Sequence, residues 1–487
     1  MSTDQTQRRP EARKPRGFPD RTAAIIAAER RLVDSISAVY ARWGFEALDT
    51  GPFEYVDALG KFLPDTDRPN AGVFALQDDD EQWIALRYDH TAPLARYVAE
   101  NWERIPKPFR RYSAGPVWRN EKPGPFRFRE FIQCDADSVG VAGPAADAEM
   151  IAIAAGAMEA AGAGKGEYVI RVNSRQLLDG IMETAGVVDP AQRGTVLRAL
   201  DKFDKFGVEG VTLLLGKGRK DESGDFTKGA GLVANQIDTL LEFTTARSVT
   251  RAETVRKLAN SVGMTAAGMQ GVRDLDEIDS ILKALGIGEG DVAFDPGIVR
   301  GLEYYTGPVF EAEFLREFRD ADGNPMRFGS VGGGGRYDGL VARFRGEPAP
   351  ATGFSVGISR LAAAMAIESA ATQGPVLILV LDKDRVADYF AMADELRKAG
   401  VRAEPYLGGA GMRAQMKYAD RRGSPAVVIV GENERQKGIV TIKDLAAGAE
   451  AAKGVADNEA WRSERPGQFE APRAELVARI KRIVGQP

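Results

Sequence analysis

The sequence predicts an α+β protein that carries a separate α/β unit at its C-terminal end. Three observations lead there. At 487 residues the chain is long enough for roughly three domains of ~100–200 residues each. Residues 110–139 read as an antiparallel hairpin, with a strand over about 112–119, a Pro/Gly-broken loop over 120–125 and a return strand over about 127–139. Beyond Gly374-Pro375, the apolar runs PVLILVL and PAVVIVG read as buried strands, with a helix over 386–399 between them. That alternation predicts a small domain with a mostly parallel sheet.

The remaining elements follow in order. Residues 1–15 are polar, lack an apolar period and include Arg8, Arg9, Arg13 and Lys14, the pattern of a disordered basic tail. Ile25, Ile26, Leu32, Val33, Ile36 and Val39 then give helical spacing. Residues 45–59 look extended, with Pro52 where a central strand could not tolerate it. An alanine-rich helix is expected over 145–161, short charged helices over about 173–285, strands over 299–313 and 327–336, and a further alanine-rich helix over 361–371.

Composition narrows the chemistry. The longest apolar runs fall well short of the ~18–20 residues that cross a bilayer, and no signal-peptide pattern opens the chain, so a membrane or secreted protein is not expected. With one cysteine, Cys134, and one histidine, His90, neither an intrachain disulfide nor a metal site of several imidazoles or thiolates can be built. Catalysis must therefore rest on arginines, carboxylates and backbone donors, which suits charge stabilisation better than proton shuttling. Residues 375–487 hold 19 Lys/Arg against 16 Asp/Glu, net +3, while the rest holds 46 against 54, net −8. A basic appendage on an acidic body points to a polyanionic partner for the appendage.

Neither glycine-rich run is a nucleotide fingerprint. GAGKGE at Gly162 lacks the leading Gly and the Ser/Thr of a Walker A loop, and GGGGRYDG at Gly332 is not framed by a βαβ unit. Its four glycines instead let backbone or ligand approach closely. In the hairpin, strand alternation places Gln133, Asp135 and Asp137 on one face and Ile132, Cys134 and Ala136 on the other, as in the floor of a pocket. Arg119 and Arg127 flank that floor with geometry suited to phosphate oxygens. A solvated sheet laced with ion pairs is the competing reading.

The segments RYDHTAPLARY (from Arg87), GPVWRNEKPGPFRFREFIQCDAD (from Gly115), VRGLEYYTGPVFE (from Val299), GGGGRYDGL and GFSVGISRL (from Gly353) together resemble the histidyl-tRNA synthetase family, in the expected order from about residue 16 to the end. The resemblance implies an antiparallel-sheet class II synthetase catalytic domain over 16–172 and 286–372, a helical insertion over 173–285, and an α/β anticodon-binding domain over 375–487 that includes MKYADRRGSP. It implies activation of L-histidine with ATP and Mg²⁺ and transfer to tRNA(His), in a cytoplasmic homodimer. Arg119 would hold the α-phosphate, Glu121 the adenine region, Arg127 and Arg360 the γ-phosphate, and Arg300 the α-phosphate beside the attacking carboxylate. Asp89, Thr91 and Gln133 would surround the ammonium end of histidine, Asp137 and Tyr305 the imidazole, with Tyr304 shaping the pocket.

Some positions depart from the family pattern. Asp stands at 137 and 89 where Glu is common, Ser359 replaces an acid, and the loop EKPGPFRFRE lacks the Gln-bearing form of many bacterial members, implying a tRNA read without its extra 5′ guanine. Adjacent Tyr304 and Tyr305 would point to opposite faces of a regular strand. His90 and Cys134 are expected to pack rather than act. The alternatives are a histidine-sensing regulatory paralogue, which would lack the C-terminal domain, and a nucleic-acid-binding accessory factor, which would lack RGLEYY.

Overall fold

The computed structural model describes residues 11–59, 72–124, 126–220, 224–300, 304–319, 325–366, 373–452 and 467–485. Residues 1–10 of the expected tail, 301–303 of the RGLEYY segment and 367–371 of the expected alanine-rich helix lie outside them. Contacts divide the chain into two compact units, Met1–Glu368 and Ser369–Pro487.

The first unit begins with α1 (Ala23–Arg42), β1 (Glu46–Ala47), β2 (Phe53–Tyr55), α2 (Val56–Leu59), β3 (Ala75–Gln77), β4 (Trp83–Leu86) and α3 (Thr91–Glu100). The hairpin strands β5 (Phe109–Trp118) and β6 (Glu130–Val139) follow, then α4 (Pro144–Ala160) and β7 (Tyr168–Ser174). Next come α5 (Arg175–Thr184), α6 (Pro190–Leu200), α7 (Phe203–Leu215), β8 (Gly218–Lys220), β9 (Phe226–Lys228), α8 (Ala234–Thr244), α9 (Arg251–Ser261) and α10 (Ala266–Ala284). The unit closes with β10 (Val292–Phe294), β11 (Pro308–Arg319), β12 (Pro325–Arg336), α11 (Ala342–Arg345), β13 (Ala351–Gly357) and α12 (Ile358–Ala366).

Eight strands form the main sheet in the order β1-β5-β6-β13-β12-β11-β7-β10. Only its outermost pairs, β1 with β5 and β10 with β7, are parallel, so the interior is antiparallel. Helix α1 buries Leu32, Ile36, Val39 and Tyr40, one stripe at helical spacing. Helix α4 opens on Pro144, whose missing N–H costs nothing in the first turn, and buries residues all round, as a helix enclosed by neighbours must. Apolar residues of the helices between β7 and β10, Leu177, Leu240 and Leu275 among them, join the cluster that also holds Cys134 and Ala136 of β6. That cluster fixes one face of the sheet and leaves the other for the site.

Three local expectations change. Residues 45–59 are two short strands and the single turn α2 rather than one extended run, because Arg87 takes up the intervening backbone, donating through Nη1 to Thr50 O (2.7 Å) and through its amide to Pro52 O (2.8 Å). The return strand of the hairpin starts at Glu130, since Gly124 and Arg127 exchange backbone hydrogen bonds in a tight turn. Strand β11 starts only at Pro308; before it, the Asn173 amide donates to Pro296 O (3.1 Å) and Ile298 O (2.8 Å), holding that backbone off the sheet.

The second unit comprises β14 (Val376–Ile378), α13 (Val386–Lys398), β15 (Ala403–Pro405), α14 (Met412–Arg422), β16 (Ala426–Ile429), α15 (Glu432–Lys437), β17 (Ile439–Asp444), α16 (Leu445–Ala452), β18 (Gln468–Pro472) and α17 (Leu476–Ile483). Its sheet runs β15-β14-β16-β17-β18. The mostly parallel sheet expected here is instead half antiparallel: β14 pairs parallel with β15 and β16, but β17 pairs antiparallel with β16 and β18. The link from β16 to β17 holds only the short α15, fewer residues than the dozen or so that a parallel crossover needs.

Candidate active site

The polar face of β6 is the floor. Register pairs Gln133 with Gly115 and Gly357, Asp135 with Ser113 and Ser355, and Asp137 with Arg111 and Gly353. Small residues therefore flank Gln133 and Asp135, and a cavity of about 400 Å³ opens above them. Its lining includes Asp89, Thr91, Arg119, Glu121, Arg127, Gln133, Asp137, Arg300, Tyr304, Tyr305 and Arg360. The eleven side chains proposed from sequence thus come from six separate stretches of chain to one cavity.

Arg119 directly follows β5, its guanidinium 4.3 Å from the Tyr88 ring and 5.2 Å from the Phe131 ring, stacking that restricts a mobile cation. Arg127 is exposed in the tight turn after Phe126, which takes φ +54° and packs on Phe328 at 4.6 Å. Arg360 stands in the first turn of α12, donating to Phe328 O (2.6 Å). Burial, and then the cations of Arg127 and Arg300, lower the pKa of Arg360, with Glu311 only partly offsetting them. Like charges gathered this closely suit a multiply charged anion. Arg300 is itself held in a two-pronged ion pair with Glu311, Nε to Oε2 at 2.7 Å.

At the other end, Asp137 is fixed on both sides. The Tyr337 hydroxyl donates to its Oδ1, and Arg111 Nη2 lies 2.9 Å from Oδ2, with both partners of that ion pair buried. Burial pushes the carboxyl up and Arg111 pulls it back. Asp89 Oδ1 accepts the amides of Thr91 and Ala92 (3.0 Å each), capping α3 and setting Thr91 on the rim. Glu121 Oε1 accepts from the Tyr88 hydroxyl (2.8 Å). Gln133 donates to Ser355 Oγ (2.9 Å), while its Oε1 is buried without a hydrogen-bond partner among the described residues.

Tyr304 and Tyr305 both line the cavity, with rings 4.3 Å apart. The opposite-face expectation fails because this dipeptide lies in a turn before β11, where strand alternation does not apply. His90 sits below the cavity, its Nε2 3.3 Å from Gly115 O and its Nδ1 3.3 Å from Ser113 Oγ. Burial, then Arg111 and Arg87, hold its pKa down to about 3, so it packs as a neutral ring. Cys134 is free and buried in the core, its thiol pushed up to about 12 mainly by burial.

Sequence reasoning missed four residues: Arg111 and Tyr337, which hold Asp137; Glu311, which holds Arg300; and Ser355, which holds Gln133. Arg111 shares the β5 face with Ser113 and Gly115, so alternation could have found it; Glu311 and Tyr337 pair across elements and left no local signal.

The profile of the family described as histidyl-tRNA synthetase matches residues 17–361, and that of an anticodon binding domain matches residues 375–462. The chain is 58% identical, over an alignment of 494 residues covering all of both chains, to a histidine–tRNA ligase of Caulobacter vibrioides. It is 54% identical to the histidine–tRNA ligase of Mesorhizobium japonicum, over 97% of this chain and 96% of that one. Among solved structures it is similar to histidyl-tRNA synthetase from Nostoc sp., with TM-score 0.73 and 27% identity over 97% of this chain and 99% of that chain.

Proposed function

The chain belongs to the histidyl-tRNA synthetase family and is an aminoacyl-tRNA ligase for histidine, and from that premise we propose how its residues divide the reaction. The carboxylate of L-histidine attacks the α-phosphorus of ATP, pyrophosphate leaves, and a ribose hydroxyl at the 3′ end of tRNA(His) then takes the histidyl group. Arg119 and Arg300 neutralise the α-phosphate as the fifth oxygen approaches; Arg127 and Arg360 hold the γ-phosphate; Glu121 faces the adenine. Such a transition state is crowded with negative charge and needs no general base, so fixed guanidiniums lower its barrier directly. Asp89, Thr91 and Gln133 receive the ammonium, Asp137 and Tyr305 the imidazole, and Tyr304 closes the wall. The observation that carries this reading is the shared lining: the arginines and Asp137 with Tyr305 border one cavity.

No group of three or more His, Cys, Asp or Glu that could hold a metal ion is found among the described residues. That donor set fits Mg²⁺ bound mainly through phosphate oxygens and water, arriving with the nucleotide. The ion would neutralise triphosphate charge beside Arg360 and Arg127. Exposed Phe53, Tyr55, Leu76 and Trp83 on the small sheet β2-β4-β3 support a homodimer. Among the described residues no helix is long and apolar enough to cross a membrane; a cytoplasmic location is proposed from the reaction. The second unit, with its basic balance, would read the anticodon through base edges and position it through phosphates.

Replacing Arg300 with alanine tests the assignment. Histidine-dependent pyrophosphate exchange should fall ~10³-fold or more while the melting curve keeps its shape. Near-normal exchange would remove Arg300 from the chemistry.

A further inference from the structure

We propose that Asp135 and Ser355 act as a positioning pair that sets the orientation of the Gln133 amide, so that its Oε1 faces the amino acid's ammonium group. This rests on the histidine-binding reading above and deepens it. An amide's orientation follows from its hydrogen-bond partners. Gln133 Nε2 donates to Ser355 Oγ at 2.9 Å, and its Oε1 is buried on the cavity lining with no partner among the described residues. Ser355 has one proton to give. Accepting from the amide, it must give that proton elsewhere, and Asp135 stands directly opposite it across the β6–β13 pair. Neither Asp135 oxygen has a hydrogen-bond partner among the described residues, although the residue is only 2% exposed. A buried carboxylate left without partners is costly unless it does something for its neighbours.

The direction of the chain then follows. An ionised Asp135 can only accept, so Ser355 donates to it and accepts from Gln133, and the amide oxygen is left for a cation. A protonated Asp135 can donate to Ser355 instead; the hydroxyl is then free to donate to Gln133, and the amide loses its preferred orientation. Burial first, then Asp137, push Asp135 up to about 7; Arg111 and Ser355 oppose this, and Asp89 adds to it. Tyr40 and Cys134, in the core on the opposite face of the strand, also interact with its charge. As pH falls through that value the orienting carboxylate is lost, so histidine affinity should fall with it.

The test uses the full-length enzyme, histidine-dependent pyrophosphate exchange, and inhibition by imidazolepropionate, which keeps the ring and carboxylate but has no ammonium. Ser355→Ala and Asp135→Asn should each raise KM for histidine about tenfold. Their kcat should stay within about threefold of the parent, their Ki for imidazolepropionate should be unchanged, and Asp135→Asn should lose the acid limb of 1/KM. Ser355→Thr, which keeps the hydroxyl, should restore the parental KM. A parental KM in Ser355→Ala, or an equal rise in Ki for imidazolepropionate, overturns the proposal. Should Asp135→Asn not fold, the Ala and Thr exchanges at 355 decide alone. A parent enzyme without histidine-dependent exchange would sink the underlying reading instead.

Discussion

At the scale of single residues, the site is built on groups whose charge is decided by what surrounds them. Asp137 and Asp135 are two residues apart on the same strand, yet one is gripped by Tyr337 and Arg111 while neither oxygen of the other has a hydrogen-bond partner among the described residues. His90 makes the same point. Its unfolded pKa of ~6.5 falls to about 3 in the folded chain because burial, Arg111 and Arg87 all oppose a second proton. A depressed histidine contributes stability that is fully present above ~6.5 and is lost as pH falls from there towards 3. Since the chain has one histidine, the imidazole C–H signal in a proton NMR titration of the free enzyme should stay flat between pH 5 and 8. A titration step near 6.5 would contradict its burial. The identity of these residues was legible in the sequence; their protonation was not, because desolvation depends on neighbours that converge from distant parts of the chain.

At the scale of elements, period-two alternation carried much of the inference. It sorted Gln133, Asp135 and Asp137 from Cys134 and Ala136, and the structure puts the first set on the cavity and the second in the core. The glycine-rich strand β12 shows the close approach that its four glycines implied. A Cβ on Gly334 would lie 2.2 Å from Gly353 O, and one on Gly353 would lie 2.0 Å from Asp137 Oδ1. Close approach, not looseness, explains the glycines. Gly353→Ala should therefore displace Asp137, costing about 1–3 kcal/mol of stability by overpacking and raising KM for histidine at least tenfold. Thermal melting and exchange kinetics check both parts; unchanged values in both would mean the strand yields without moving the carboxylate. Where elements were misjudged, at 45–59, 304–307 and β17, the deciding partners (Arg87, Asn173 and the short α15 link) lay outside the window that any local pattern samples.

At the scale of the whole molecule, the two units each enclose their own apolar cluster, the second around Val376, Tyr389, Val428 and Ile442. Independent cores predict independent loss. A chain ending at residue 372 should keep most histidine-dependent pyrophosphate exchange while charging of tRNA(His) drops at least tenfold, since among the described residues the lining of the proposed site comes from the first unit. Measuring both activities on one preparation separates the outcomes; loss of exchange along with charging would mean that the first unit depends on the second for its fold.

The sequence by itself determined the residue types available to the reaction, the hairpin that carries the site's floor, and the presence of a distinct C-terminal α/β unit. Composition, period and motif order are properties of the chain, and they survive any arrangement in space. Only the tertiary structure decided that arginines from 119 to 360 share one cavity with Asp137, that Glu311 restrains Arg300, and that His90 is neutral. Coulomb interaction and desolvation act through distance and burial, and those come into being only when the strands pair.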